Sequence, residues 1–202
     1  MTQHRSTELR DETGVRAPAN RTLETLDDIP REIADRRLHA EFGEHISPQK
    51  SEAIRDRPDR IEGSAEFQEA AKRAGIGGTG DVLGWSTDIE SPAHVLRQDM
   101  AKEIATLIHE DLHRMTDPIT RAEITSTDSG SRLYEGITEM YTEKAVKGLH
   151  GHKPGECYAD SMRHAERVEQ FVGDAELRRY FFKHELPENI GRAIDQLRRD
   201  QT

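Results

Sequence analysis

At 202 residues the chain fits one domain with a moderate core plus an appendage, and with 33% hydrophobic against 34% charged residues much of it must be solvent-facing helix or a polar arm. A net charge of −10 argues against nucleic acid as the main partner, because phosphate recognition needs Lys and Arg in clustered excess. No apolar run approaches a membrane span, no secretory signal is visible, and the single cysteine, Cys157, makes no internal disulfide, so the expected location is the cytoplasm or the outside by a signal-peptide-independent route.

Residues 1–28 are polar and mixed in charge with almost no periodic apolar positions, and are expected to form a disordered or loosely docked arm ahead of a single domain over 29–202. Ile29, Ile33, Leu38, Phe42 and Ile46 recur at helical spacing, which predicts a helix stopped by Ser47-Pro48. Residues 51–61 read as a charged connection or short helix broken at Pro58. A short helix follows over Ser64 to Ala74, with Phe67, Ala71 and Ala74 inward and Gly75 as its stop. The run Gly75-Ile76-Gly77-Gly78-Thr79-Gly80 matches the glycine spacing of dinucleotide folds, but it follows a helix where that fingerprint must follow a strand. Asp81 to Ile89 is the best candidate for β structure, and Trp85 there fits a core position under the next helix better than a substrate contact. Ser91-Pro92 then reads as the cap and first turn of a long helix ending near Met115.

That helix carries His109-Glu110-x-x-His113. Residues four apart stand one above the other on a helix, so the two imidazoles can grip one metal ion while Glu110 projects beside them to hold a water. Leu96, Met100, Ile104, Leu107, Ile108, Leu112 and Met115 form a helical stripe, which sets the two His next to the buried face. A hydrolytic zinc site has three protein ligands and one open position, so a third donor must come from elsewhere. Asp117-Pro118 breaks the helix, and Ile119 to Thr127 reads as a connection, with room for a strand, to a second helix ended by Gly148. Two candidates lie beyond it. Asp128 sits in Ser126-Thr127-Asp128-Ser129-Gly130, which looks more like a turn and helix cap, and Glu135 lies beyond twenty-one intervening residues after His113, in Leu133-Tyr134-Glu135-Gly136-Ile137-Thr138-Glu139.

The set His109, Glu110, His113, Glu135, Gly136 and Glu139 resembles the gluzincins, the zinc peptidases typified by thermolysin and the alanyl-type aminopeptidases, over about residues 91–148. The resemblance implies Glu135 as the third ligand, one zinc ion per chain, and Glu139 holding His109 by its other ring nitrogen. A metzincin would carry a third His where Ile119 stands, and an aspzincin would use an Asp. The resemblance further implies an edge strand near the zinc helix that pairs with extended substrate, and a downstream Tyr or His near the developing oxyanion, with Tyr158 first and Tyr141 second. The sequence departs from the better-known members in lacking the exopeptidase motif Gly-x-Met-Glu-Asn and in having Tyr134 where Asn is frequent.

Downstream, Tyr158, Met162, Ala165, Val168 and Val172, then Leu177, Phe181, Ile190, Ile194 and Leu197, predict a helical subdomain over about 156–202 that walls the cleft. The expected fold class is α+β, predominantly helical, with a zincin-like metallopeptidase core: a small sheet, an active-site helix and a second helix bearing Glu135. The expected function is zinc-dependent hydrolysis of peptide bonds in a restricted set of protein or peptide targets, as a processing peptidase or a bacterial effector or toxin protease, with Glu110 as general base. The alternative is a noncatalytic, metal-stabilised helical module that binds a protein partner.

Overall fold

The apolar stripe from Ile104 to Met115 decides the architecture, because the helix that carries it is covered on most of its circumference. The structure, a computed structural model, describes residues 28–55, 59–76, 83–86, 91–152, 159–186 and 190–192. Among these the elements run α1 (Asp28–Phe42), α2 (Pro48–Arg55), β1 (Arg60–Glu62), α3 (Ser64–Arg73), β2 (Gly84–Trp85), β3 (His94–Leu96), α4 (Met100–Met115), α5 (Pro118–Ile124), α6 (Asp128–Val146), α7 (Ala159–Val172) and α8 (Asp174–Lys183). The class is thus α+β and predominantly helical, with one small sheet. None of these helices is long and apolar enough to cross a membrane. Residues 1–27 of the amino-terminal arm, the glycines of 77–80, Cys157 and Tyr158 lie outside the described residues, whereas Asp28, counted with the arm, is the first residue of α1.

Helix α4 starts where Asp99 accepts a hydrogen bond from the Lys102 amide and Glu103 accepts one from the Gln98 amide, so two otherwise orphaned donors are satisfied. Its stripe meets α1 on one side and α6 on another, where Leu38, Phe42, Leu107, Ile108, Leu112, Ile137 and Tyr141 close the core with Phe181 of α8. Leu107, Ile108 and Leu112 are 0% exposed, and each such side chain contributes about 1.5–3 kcal/mol by leaving water. At the far end the Lys50 ammonium donates to the Met115 carbonyl at 2.9 Å, satisfying an acceptor of the last turn.

The sheet has the order β1-β3-β2. β1 runs parallel to β3 with Ile61 opposite Val95, and β2 runs antiparallel with Trp85 opposite His94. Val95 is 0% exposed on the helix side, whereas Trp85 stacks flat on His94 with ring centroids 4.0 Å apart. Alternation along β2 therefore turns Trp85 away from the face on which Gly84 meets α4, and the tryptophan is a cross-strand contact, not a plug under the helix.

Several sequence expectations are corrected by these elements. The first helix ends at Phe42, and Ile46 is buried from the turn beyond it. Ser47-Pro48 ends nothing more than that turn: Ser47 accepts from the Lys50 amide and Pro48 is the first residue of α2. Ala74 lies outside α3 and is exposed, with Ala70 taking its inward place. The stretch from Ser91 is not helical, since β3 occupies His94–Leu96 before α4 begins at Met100, which is exposed. The connection after Asp117 is a helix, because Asp117 caps the Ile119 and Thr120 amides and Pro118 fits the first turn.

Candidate metal centre

Antiparallel packing of α4 on α6 pairs His113 with Glu135 and His109 with Glu139, two contacts one turn apart on each helix. Gly136 sets a second contact of α6, with α7. A Cβ there would lie 2.1 Å from the Ser161 carbonyl, so α7 lies against α6 beside Glu135 only because that position lacks a side chain. Thr127, whose hydroxyl accepts from the Gly130 amide, starts α6 and makes Asp128 its first residue, exposed and seven positions before Glu135. Asp128 is therefore not a member of the cluster formed by His109, His113 and Glu135.

Three atoms define that cluster. His109 Nε2 and His113 Nε2 are 3.1 Å apart, and Glu135 Oε2 lies 3.5 Å from the first and 3.3 Å from the second. Around a four-coordinate zinc with bonds of about 2.0–2.1 Å, tetrahedral angles set neighbouring donors about 3.3 Å apart. The triangle has the dimensions of one face of that tetrahedron.

The ring nitrogens turned away from the cluster also have partners. His109 Nδ1 lies 3.1 Å from Glu139 Oε2, and because a carboxylate only accepts, Nδ1 carries a proton and Nε2 is the atom turned to the cluster. His113 Nδ1 is 3.5 Å from the Thr138 hydroxyl, which donates its own proton to the Tyr134 carbonyl at 3.0 Å and so offers His113 a lone pair. Two bare imidazole nitrogens facing each other at 3.1 Å require a shared proton or a cation between them. Burial opposes charge on His109, but hydrogen bonds to Glu135 and Glu139, with Glu110 nearby, push its pKa up to about 10. Glu135 is likewise opposed by burial, yet the hydrogen bonds from His109 and His113 hold it well below the usual carboxylate range. With an ion in place of that proton, the donors would be an anionic carboxylate and two neutral imidazoles, a set that fits zinc in spacing and in donor chemistry.

The side chains of His109 and His113 are 12% and 11% exposed while Glu135 is 35% exposed, so access to the cluster is from the Glu135 side. Glu110 is 5% exposed, and its carboxylate accepts a hydrogen bond from the Ser86 hydroxyl at 2.9 Å. Gly84 approaches the same carboxylate so closely that a Cβ would lie 3.1 Å from Glu110 Cγ and 2.5 Å from Thr106 Cγ2.

Tyr141 is not brought to the site. Two residues beyond Glu139 is about 200° around the helix, and its ring is 0% exposed against Phe42, Phe181 and Phe182. Tyr134 instead leans on the His113 ring at 5.0 Å, with its hydroxyl donating to Thr116 Oγ1 at 3.2 Å, and burial pushes its pKa up to about 12. In the loop after α6, His150 is exposed, whereas His152 is mostly covered and pairs with Glu143 at 2.9 Å.

Beneath the cluster lies a feature the sequence reading missed. Asp111 and Arg114 interrupt the apolar stripe of α4, and both are fully covered in a network with Arg31 of α1 and Asp59. Arg31 Nη1 reaches Asp111 at 2.7 Å and Asp59 at 2.6 Å, and Arg114 Nη1 reaches Asp59 at 3.0 Å. Burial and Asp59 outweigh the two guanidinium groups and push the Asp111 pKa up to about 7. The sequence signal was a charged pair three apart inside an otherwise apolar helix face. Compared with protein-family models, curated proteins and solved structures, the chain matches none.

Proposed function

We propose that this chain is a zinc-dependent metallopeptidase with a zincin-like core, its ion held by His109, His113 and Glu135. The observation that carries the reading is the donor triangle of 3.1, 3.3 and 3.5 Å, the spacing about one tetrahedral ion, with the far nitrogen of each ring facing Glu139 or Thr138. A cation held there supplies Lewis-acid polarisation of a carbonyl and makes a water acidic near neutral pH. With an ion there, Glu110, next to His109 on α4, would be the base that takes a proton from the attacking water and the acid that returns it to the leaving amine. Glu139 and Thr138 keep the imidazoles oriented while this happens. A peptide substrate is favoured by β2, an edge strand of the sheet whose Gly84 lies against Glu110, since an extended backbone can add to such an edge.

The test pairs metal content with hydrolysis. The purified chain should bind one zinc ion and cleave an unstructured protein such as casein in a chelator-sensitive way. Glu110→Gln should keep the ion and lose hydrolysis by at least about 100-fold, the usual scale for a general base. Zinc bound at this site without cleavage of any peptide would favour the noncatalytic binding module, and full turnover by Glu110→Gln would remove Glu110 from the mechanism.

A further inference from the structure

We propose that Ser86 is a positioning residue: its hydroxyl holds the carboxylate of Glu110 in the one orientation that proton transfer needs. This rests on the peptidase reading for its catalytic meaning, though not for the contact itself. Ser86 directly follows β2, and its Oγ donates to Glu110 Oε2 at 2.9 Å while lying 3.5 Å from the Glu110 carbonyl. Among the described residues it is the hydrogen-bond donor seen on that carboxylate, which is 5% exposed and so has little water to replace it. A glutamate has three side-chain torsions, and a general base that wanders among them is misaligned for part of the time.

The strand that carries Ser86 is itself fixed from both faces. On the helix side Gly84 sits so close to Thr106 and Glu110 that a Cβ would be 2.5 Å and 3.1 Å from them, and alternation turns Ser86 to that same side. On the other side Trp85 stacks on His94, which is in turn 3.0 Å from Glu62. The missing side chain at Gly84 lets the strand settle onto α4, and Ser86 converts that close approach into a directed bond. One carboxylate oxygen, Oε2, is committed to the hydroxyl, and Oε1 is the one left to receive the proton.

The test uses the zinc-loaded full chain with Ser86→Ala and Ser86→Thr. Ser86→Ala should lower kcat about 10- to 100-fold with KM and zinc stoichiometry unchanged, and Ser86→Thr, which keeps the hydroxyl, should recover most of the rate. Crystal structures of the same variants supply a readout that needs no activity: Glu110 should occupy more than one rotamer in Ser86→Ala and a single one in Ser86→Thr. Wild-type kcat in Ser86→Ala, an equal loss in both variants, or one unchanged Glu110 rotamer in Ser86→Ala would each overturn the assignment. If the wild type cleaves no peptide while the rotamer result is as expected, the contact stands and it is the peptidase reading that fails.

Discussion

His109 is the residue on which charge, the proposed metal and folding converge. Its raised pKa and the depressed pKa of Glu135 describe one interaction seen from two sides, to be counted once. For a base, a folded-state pKa above the unfolded value of about 6.5 means stability that is fully present below that pH and lost as pH rises through the folded value, about 10 here. Chelator-treated protein is therefore expected to become easier to unfold in urea between about pH 7 and about pH 10. Zinc-loaded protein should lack this slope, because a ligating imidazole has no proton to lose at Nε2. A flat profile in chelator-treated protein would mean that the proton is not held between the two rings. Tyr141 gives a second residue-level test. Its hydroxyl is buried with no hydrogen-bond partner among the described residues, so Tyr141→Phe should leave kcat unchanged and stability within about 1 kcal/mol or slightly improved. A fall in kcat with metal content intact would return Tyr141 to the catalytic machinery.

At the scale of elements, the orientation of α4 is what matters, since a modest rotation would separate His109 and His113 from α6. The apolar stripe allows some slippage. The buried network does not, because Asp111 and Arg114 on α4 are tied to Arg31 on α1 and to Asp59 just before β1. Arg114→Met would leave Arg31 as the cation shared by Asp59, Asp111 and Asp35 among the described residues, and losing one partner of a buried ionic group costs about 3–5 kcal/mol. Thermal unfolding should show that loss at pH 8 and a smaller one at pH 5, because Asp111, with its pKa near 7, is then protonated and the excess negative charge is reduced. Equal losses at both pH values would show that the network is neutral packing and not a balance of charge. The network escaped the sequence because its partners are 80 positions apart, Arg31 to Asp111, and no helical or strand period links them. The short elements escaped for a different reason. Arg60-Ile61-Glu62 and His94-Val95-Leu96 are three residues each, too brief for alternation to declare itself, and Leu96 falls by accident on the period of the helix that follows. Pro118 was read as a breaker, although after a capping Asp117 it is equally a first-turn residue.

For the molecule as a whole, the legible part was the part fixed by chemistry at short range. The pair His109 and His113 follows from the four-residue spacing, and Glu135 with Glu139 repeats that spacing on the partner helix. What no local pattern could supply was the antiparallel register that brings the two pairs together, or the strand and glycine that seat Ser86 on Glu110. Tyr141 was avoidable, since its angle from Glu139 around the helix already turns it into the core. All of this converges on the proposal of one cation between α4 and α6. The most direct measurement is anomalous X-ray scattering at the zinc edge from crystals of the zinc-loaded chain. One peak about 2.0–2.2 Å from His109 Nε2, His113 Nε2 and a Glu135 oxygen is the expected result. No peak between these helices, or a Glu135 carboxylate turned away from both imidazoles, would contradict the account.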